Sequence, residues 1–349
     1  MKSRIDRARA GLPEEADGIL LSNPTNIRYL TGVNLTDGYL LLTRQRACLF
    51  ADSRYIEAAE KAKSEAMEVK LYKTEKSISE ALAGIRCLCF EDQFVTCFDL
   101  HAMQKAWPGV HFMGCGGLLS HLRECKDETE LDCIMTAQRI AEKAFDAILG
   151  FISTDRTEAE VALELEYQMR RNGASGVAFD TIAVSGARSS LPHGEPSDKK
   201  IEKGFLTMDF GAVYNGYCSD MTRTVVVGKA DEAMVKLYET VKKAQEAALA
   251  AIGPGEACAG IDRLARDIIE AAYPGCFGHG LGHGVGLYIH EAPSLSPKSS
   301  QTLKAGHVVT VEPGVYLPGQ YGVRIEDMVY ITEQGALNLT RAPKDLIEL

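Results

Sequence analysis

Apolar and polar positions follow two rhythms along this chain, and the change between them divides it. From Gly18 to about His111, short apolar runs at 18–21, 39–42, 47–50 and 87–90 are separated by helically spaced stretches at 53–63 and 77–82. Short strands interleaved with helices predict an α/β domain. A glycine-rich stretch at 114–119 precedes the charged run Arg123-Glu-Cys-Lys-Asp-Glu-Thr-Glu130. The domain boundary is expected there, giving domains of 1–120 and 121–349.

Beyond the boundary, Leu131, Ile134, Met135, Ala141, Ala144, Phe145 and Ile148 recur at three- and four-residue spacing, which predicts a long helix with one apolar face. Thr157-Glu-Ala-Glu160 has the form of a capping box opening a second helix that stops near Gly173. The period then falls to two. Residues 206–227 read as a β-hairpin turning at Asn215-Gly216, because both central residues of a type I′ turn need positive φ. Helices over about 231–252 and 258–272, separated by Gly253-Pro254-Gly255, lead into a second extended pair at 307–317 and 322–331. The second domain therefore reads as two successive units, each running from helices into paired antiparallel strands.

Composition narrows the function classes. The 349 residues are 46% apolar and 25% charged, enough for a sizeable core and two domains. A formal charge of −10, with no segment concentrating Lys and Arg, argues against nucleic-acid binding. Ten scattered cysteines without a CxxC spacing fit thiols in a reducing compartment better than a disulfide framework. No apolar run approaches the roughly 20 residues that span a bilayer. A soluble, cytoplasmic protein without membrane contact is expected.

The hairpin carries the first chemical signal. Pairing around Asn215-Gly216 sets Asp220 opposite Gly211, with Asp209 its diagonal neighbour on the same face. Such neighbours lie roughly 7–8 Å apart at the backbone, within reach of one shared cation. A solvent-facing sheet edge is the plain alternative, but apolar flanks would leave two buried carboxylates repelling each other, a cost that a metal removes.

Downstream, five glycines alternate through Phe277-Gly-His-Gly-Leu-Gly-His-Gly-Val-Gly-Leu287, leaving His279 and His283 as nearly the only functional side chains. The run lacks GK[ST] and so does not read as a phosphate loop. His279, His283 and His290 fall within twelve residues of a chain with eight histidines. His101, His111, His121 and His307 are expected to be packed or solvated. Glu312 ends an apolar strand just before Pro313-Gly314, and Glu326 interrupts Val-Arg-Ile-Glu-Asp-Met-Val. Asp209, Asp220, His283, Glu312 and Glu326 form a mostly hard-oxygen set suited to Mn²⁺, Fe²⁺, Co²⁺ or Zn²⁺, and four carboxylates balance two divalent ions. Two-metal hydrolytic sites lower the pKa of a shared water enough to supply hydroxide near neutral pH.

These blocks resemble the pita-bread metallopeptidases, which include methionyl aminopeptidase, aminopeptidase P and prolidase. The resemblance rests on Leu-Pro-His193, Met-Asp-Phe-Gly211, Ser-Asp-Met-Thr-Arg-Thr224, Gly-His-Gly-Leu-Gly-His283, His-Glu-Ala-Pro293, Val-Glu-Pro-Gly-Val-Tyr316 and Val-Arg-Ile-Glu-Asp327 in family order. Asn26-Ile-Arg-Tyr-Leu-Thr-Gly32 and Ala51-Asp-Ser-Arg-Tyr55 resemble the N-terminal domain of the proline-specific branch. The resemblance implies a creatinase/prolidase-like α/β domain followed by a pita-bread domain with pseudo-twofold halves. It also implies two metals, most often Mn²⁺, with Asp209 chelating one, Asp220 and Glu326 bridging both, and His283 and Glu312 completing the other. Glu312 would handle protons, His193, His279 and His290 would hold the substrate, and Arg324 would orient the carboxylates. A homodimer acting on proline-containing peptides is implied as well.

Within that branch the peptide-length preference turns on one position. Prolidases that otherwise resemble this chain often carry an Arg four residues after the third histidine, where it receives the proline carboxylate. Here Ser294 stands there, with Lys298 nearby. The reading therefore tilts to Xaa-Pro aminopeptidase, with Xaa-Pro dipeptidase as the alternative. Metal-free enzymes and binding modules of the same fold have usually lost several of the five donors, all of which are present here.

Overall fold

The computed structural model describes residues 3–64 and 66–349. The chain divides into two compact units, Met1–Leu122 and Arg123–Leu349. The first is built on a six-stranded mixed sheet of β1 (Gly18–Leu21), β2 (Gly38–Thr43), β3 (Ala47–Ala51), β4 (Glu68–Leu71), β5 (Cys87–Phe90) and β6 (His111–Gly114), ordered β4-β3-β2-β1-β5-β6. β1 pairs antiparallel with β2 and parallel with β5, and all four of its residues are buried. Continuous apolar runs are what a strand covered on both faces requires. The helix expected over 53–63 is shorter, Ile56–Lys61. Asp52 accepts hydrogen bonds from the Arg54 backbone at 2.8 Å and its Nε at 2.9 Å, which holds the preceding residues in a turn.

In the second unit the helices Glu128–Ile148 and Glu158–Arg171 both open on capping boxes, at Asp127 and Thr157. They pack on a sheet of β8 (Ile182–Ser185), β9 (Gly204–Phe210) and β12 (Met221–Val227), ordered β12-β9-β8. The short strands β7 (Gly176–Val177), β10 (Ala212–Tyr214) and β11 (Tyr217–Cys218) form a separate three-stranded sheet. The second half repeats the plan. Helices Glu232–Ala251 and Cys258–Ala272 share a core with β14 (Glu291–Leu295), β15 (Val308–Val311), β16 (Gly314–Leu317), β17 (Tyr321–Arg324) and β18 (Asp327–Ile331), and β13 (Gly282–Gly284) pairs with β14 and β15. β15 pairs with β18, β16 with β17, and β19 (Ala336–Asn338) borders β18.

The hairpin expected over 206–227 is correct in register and differs in continuity. Asn215 and Gly216 have φ of 47° and 81°, as a type I′ turn demands. Val213 pairs with Cys218 and Phe210 with Met221, so Asp220 falls opposite Gly211. Ladder pairing stops at Gly211 and at Ser219–Asp220, because β10 leaves this sheet to pair with β7. A side chain at Gly211 would meet the Ser219 carbonyl at 2.0 Å, so only glycine fits the crossing. The charged run 123–130, where the domain boundary is expected, opens the second unit. Arg123, Glu124, Lys126 and Glu130 are buried, each engaged by ions or hydrogen bonds of the second unit. Among the described residues no helix is long and apolar enough to cross a membrane.

Candidate metal centre

Two strand pairs of the second unit, β9–β12 and β15–β18, break where an acidic residue stands. Asp220 lies between β11 and β12, Glu312 follows β15, and Glu326 sits between β17 and β18. Asp209 is the next-to-last residue of β9, and His283 is the middle of β13. The breaks free these side chains from the apolar faces on either side. All five line one cavity of about 570 Å³, together with His193, His279, His290, Ser294 and Arg324. Every site residue expected from the sequence is thus on one wall or another of the same space.

Their spacing is uneven. Asp220, His283 and Glu326 offer donor atoms that all lie within 4.8 Å of one another. His283 Nε2 stands 3.3 Å from Glu312 Oε1 and 3.5 Å from Asp220 Oδ2. Its Nδ1 lies 3.1 Å from the Gly284 carbonyl, which only accepts, so Nδ1 carries a hydrogen and Nε2 faces the acids. Asp209 stands apart from the tight trio and accepts from Arg324 Nη2 at Oδ2, at 2.7 Å. Its Oδ1 is buried and has no hydrogen-bond partner among the described residues.

Electrostatics says what the group lacks. Burial, and then the charges of Glu326, Asp209 and Glu312, push Asp220 well above the ordinary carboxylate range. Burial with Glu312 and Asp209 does the same to Glu326. Burial raises Asp209 despite the opposing Arg324. Burial alone would raise Glu312 too, but the His283 hydrogen bond and charge hold it below its usual value. Carboxylates crowded this closely stay ionised together only when cations neutralise them. An orphaned buried oxygen on Asp209 and a hard-oxygen donor set with one imidazole fit divalent metal ions.

A ring of hydroxyls holds the donors in place. Thr222 Oγ1 donates to Glu326 Oε2 at 2.7 Å and accepts from Arg324 Nε at 3.0 Å. Thr310 Oγ1 donates to Glu312 at 3.1 Å and accepts the His283 backbone N–H at 3.1 Å. Below, the buried Arg223 donates to the Glu326 carbonyl at 2.5 Å and pairs with Asp327 at 2.8 Å. His279 Nδ1 faces the Gly280 carbonyl at 2.8 Å, and burial keeps this ring below the usual imidazole value. Its neutral Nε2 therefore accepts from the Tyr316 hydroxyl at 2.9 Å, which in turn accepts from Arg324 at 2.8 Å.

The model of metallopeptidase family M24 matches residues 132–333, and that of the creatinase/prolidase N-terminal domain matches residues 4–125. The chain belongs to metallopeptidase family M24. Here a creatinase/prolidase N-terminal domain precedes a pita-bread domain, and membership of this metallopeptidase family implies divalent metal ions. The M24 peptidase is 40% identical to the Xaa-Pro dipeptidase of Pyrococcus furiosus, over 99% of this chain and 100% of that one. It is similar to the structure of an Xaa-Pro dipeptidase from Bacillus anthracis, with a TM-score of 0.96, 41% identity and 99% of both chains covered. It is also similar to an X-Pro aminopeptidase from Thermotoga maritima, at TM-score 0.92 and 35% identity over 99% of this chain and 100% of that one.

Sequence reasoning gave no role to Thr222, Thr310, Tyr316 or Arg223. A signal for the threonines exists in this peptidase. Thr207 and Asp209, Asp220 with Thr222 and Thr224, Thr310 and Glu312, and Arg324 and Glu326 are each spaced by two, a polar stripe on one face of otherwise apolar strands. The M24 peptidase buries Thr207, Thr222, Thr224 and Thr310 almost completely.

Proposed function

We propose that this M24 peptidase is an Xaa-Pro dipeptidase, hydrolysing the bond between a first residue and a C-terminal proline. The observation that carries this reading is the five-donor cavity together with near full-length similarity to proteins named Xaa-Pro dipeptidase. It replaces the tilt towards aminopeptidase, which stood on Ser294 alone. Relatives called dipeptidases match this chain over nearly all its length, and they outweigh one substituted position. The aminopeptidase reading keeps support from the Thermotoga maritima structure and is the second outcome of the test.

In this reading Asp209, Asp220, His283, Glu312 and Glu326 hold two divalent ions, Mn²⁺ in the first place, with Co²⁺, Zn²⁺ or Fe²⁺ as substitutes. When bound, such ions acidify a shared water and polarise the scissile carbonyl. Glu312 takes a proton from the attacking water and passes it to the leaving prolyl nitrogen. That nitrogen is tertiary in the substrate, so it has no N–H of its own and depends on a delivered proton. His279, tied to Tyr316, and His193 and His290 in the cavity wall bind the carbonyl as charge develops on its oxygen. Arg324, donating to Asp209 and Tyr316, fixes both the carboxylate and the His279 side of the site. The same reading keeps the chain in the cytoplasm, where its ten cysteines remain thiols, and as a homodimer, as the family resemblance implies.

The test is hydrolysis of an Xaa-Pro dipeptide beside an Xaa-Pro-Xaa tripeptide by Mn²⁺-loaded protein. Cleavage of the dipeptide only is the expected result. Preference for the tripeptide would make the chain an aminopeptidase, and metal-independent or absent cleavage of both would end the peptidase reading.

A further inference from the structure

A buried ionic clamp grips the residue next to His290. Glu291 Oε1 accepts hydrogen bonds from Arg123 Nε at 3.1 Å and from the Tyr288 backbone at 3.1 Å, while Oε2 accepts from Lys126 Nζ at 3.3 Å. All three charged side chains are nearly sealed from solvent, at 5% for Glu291, 6% for Arg123 and 1% for Lys126. Arg123 also lies over the Tyr288 ring, 5.0 Å from its centroid. Both cations come from the charged run that the sequence pattern marks as a boundary.

The clamp joins three pieces of the site. Lys126 N–H donates to the Gly306 carbonyl at 2.7 Å, and Cys125 bridges to His307, just before the strand that Glu312 follows. The Gly286 carbonyl accepts from Cys218 N–H at 2.8 Å, two residues before Asp220. A Cβ on Gly286 would lie 2.6 Å from Glu291 Oε2, so the carboxylate fits only because that position has no side chain. His290 itself is exposed, and no hydrogen bond to its ring is found among the described residues. Its ring stands edge-on to His283 at 4.4 Å and 77°, so its aim is set by the backbone that the clamp immobilises. Burying three charges carries a desolvation cost that their pairing need not repay, so stability alone does not account for the clamp.

We propose that Glu291, held by Arg123 and Lys126, is a positioning residue for His290 in peptide hydrolysis. The inference rests on the reading of His290 as a substrate-binding group. The experiment is a double-mutant cycle on the Mn²⁺-loaded, full-length protein with an Xaa-Pro dipeptide, comparing wild type, Glu291→Gln, His290→Ala and the double variant. Metal content is measured for each. Glu291→Gln should lower kcat about tenfold at unchanged metal content, yet cost less than about twofold in the His290→Ala background. Equal losses in both backgrounds, or loss of metal from Glu291→Gln, would overturn the inference. Should Glu291→Gln fail to fold, Arg123→Lys keeps the charge and removes the Nε contact, and must show the same dependence on His290 to sustain it. Wild-type turnover by His290→Ala would instead remove the reading of His290, and the inference with it. A defective His290→Ala with additive losses would overturn the inference and leave that reading standing.

Discussion

At the scale of single residues, the centre depends on hydroxyls as much as on acids. Tyr316 links His279 to Arg324 through one oxygen, and Arg324 links onward to Asp209. Removing that oxygen leaves Arg324 and His279 each short of a buried partner while touching no metal donor. Tyr316→Phe is therefore expected to lower kcat by about 10- to 100-fold with metal content unchanged. Metal loss on a par with the loss of turnover would show that Tyr316 supports the donors themselves. The carboxylates and histidines were legible because acids in apolar strands and histidines in a glycine run are rare enough to question. Tyr316 was not, since an aromatic residue in a strand is ordinary packing until its hydroxyl is seen to bridge two charged neighbours.

Among elements, interrupted strands do the placing. Each hairpin runs in register and then breaks at a glycine or proline beside an acid, at Gly211 opposite Asp220 and at Pro313 after Glu312. Register was readable because Asn-Gly fixes the turn and pairing follows by counting. The breaks were not, because β10 leaves its ladder for β7, a partner distant in sequence, and the chain after Pro313 forms a separate hairpin of its own, β16–β17. The glycine run is explained at this scale. A Cβ on Gly282 would sit 2.0 Å from the Thr310 carbonyl, so β13 approaches β15 closely enough for His283 and Glu312 to meet. Gly282→Ala must push these strands apart, and a loss of about 2–4 kcal/mol in unfolding free energy is expected from overpacking. Weakened metal binding should accompany it. Denaturant unfolding of the metal-loaded variant checks this, and wild-type stability would refute the close-approach argument.

For the molecule as a whole, the two-domain plan was legible because each part has its own rhythm of strands and helices. Less legible was the charged run at its middle, where Arg123 and Lys126 turn inward to Glu291. His307, expected to be packed or solvated, is buried there, and burial together with Lys126 and Lys304 holds its pKa down to about 4, although Glu124 lies 4.0 Å away. The folded protein thus binds this proton less readily than the unfolded chain, whose histidine titrates near 6.5. Its contribution to stability is complete above about pH 6.5 and is lost as pH falls towards 4, on the order of 3 kcal/mol. His307→Asn should flatten the fall in unfolding free energy across that window, and an unchanged pH profile would contradict the assignment. In the function proposed above, four carboxylates and one imidazole would hold two divalent ions for hydrolysis. Elemental analysis of chelator-stripped protein reloaded with Mn²⁺, read beside dipeptide turnover, tests it most directly. Two ions per chain with metal-dependent turnover, both lost in Asp220→Asn, is the predicted result. Two ions and full turnover in Asp220→Asn, or turnover by wild-type protein without metal, would contradict it.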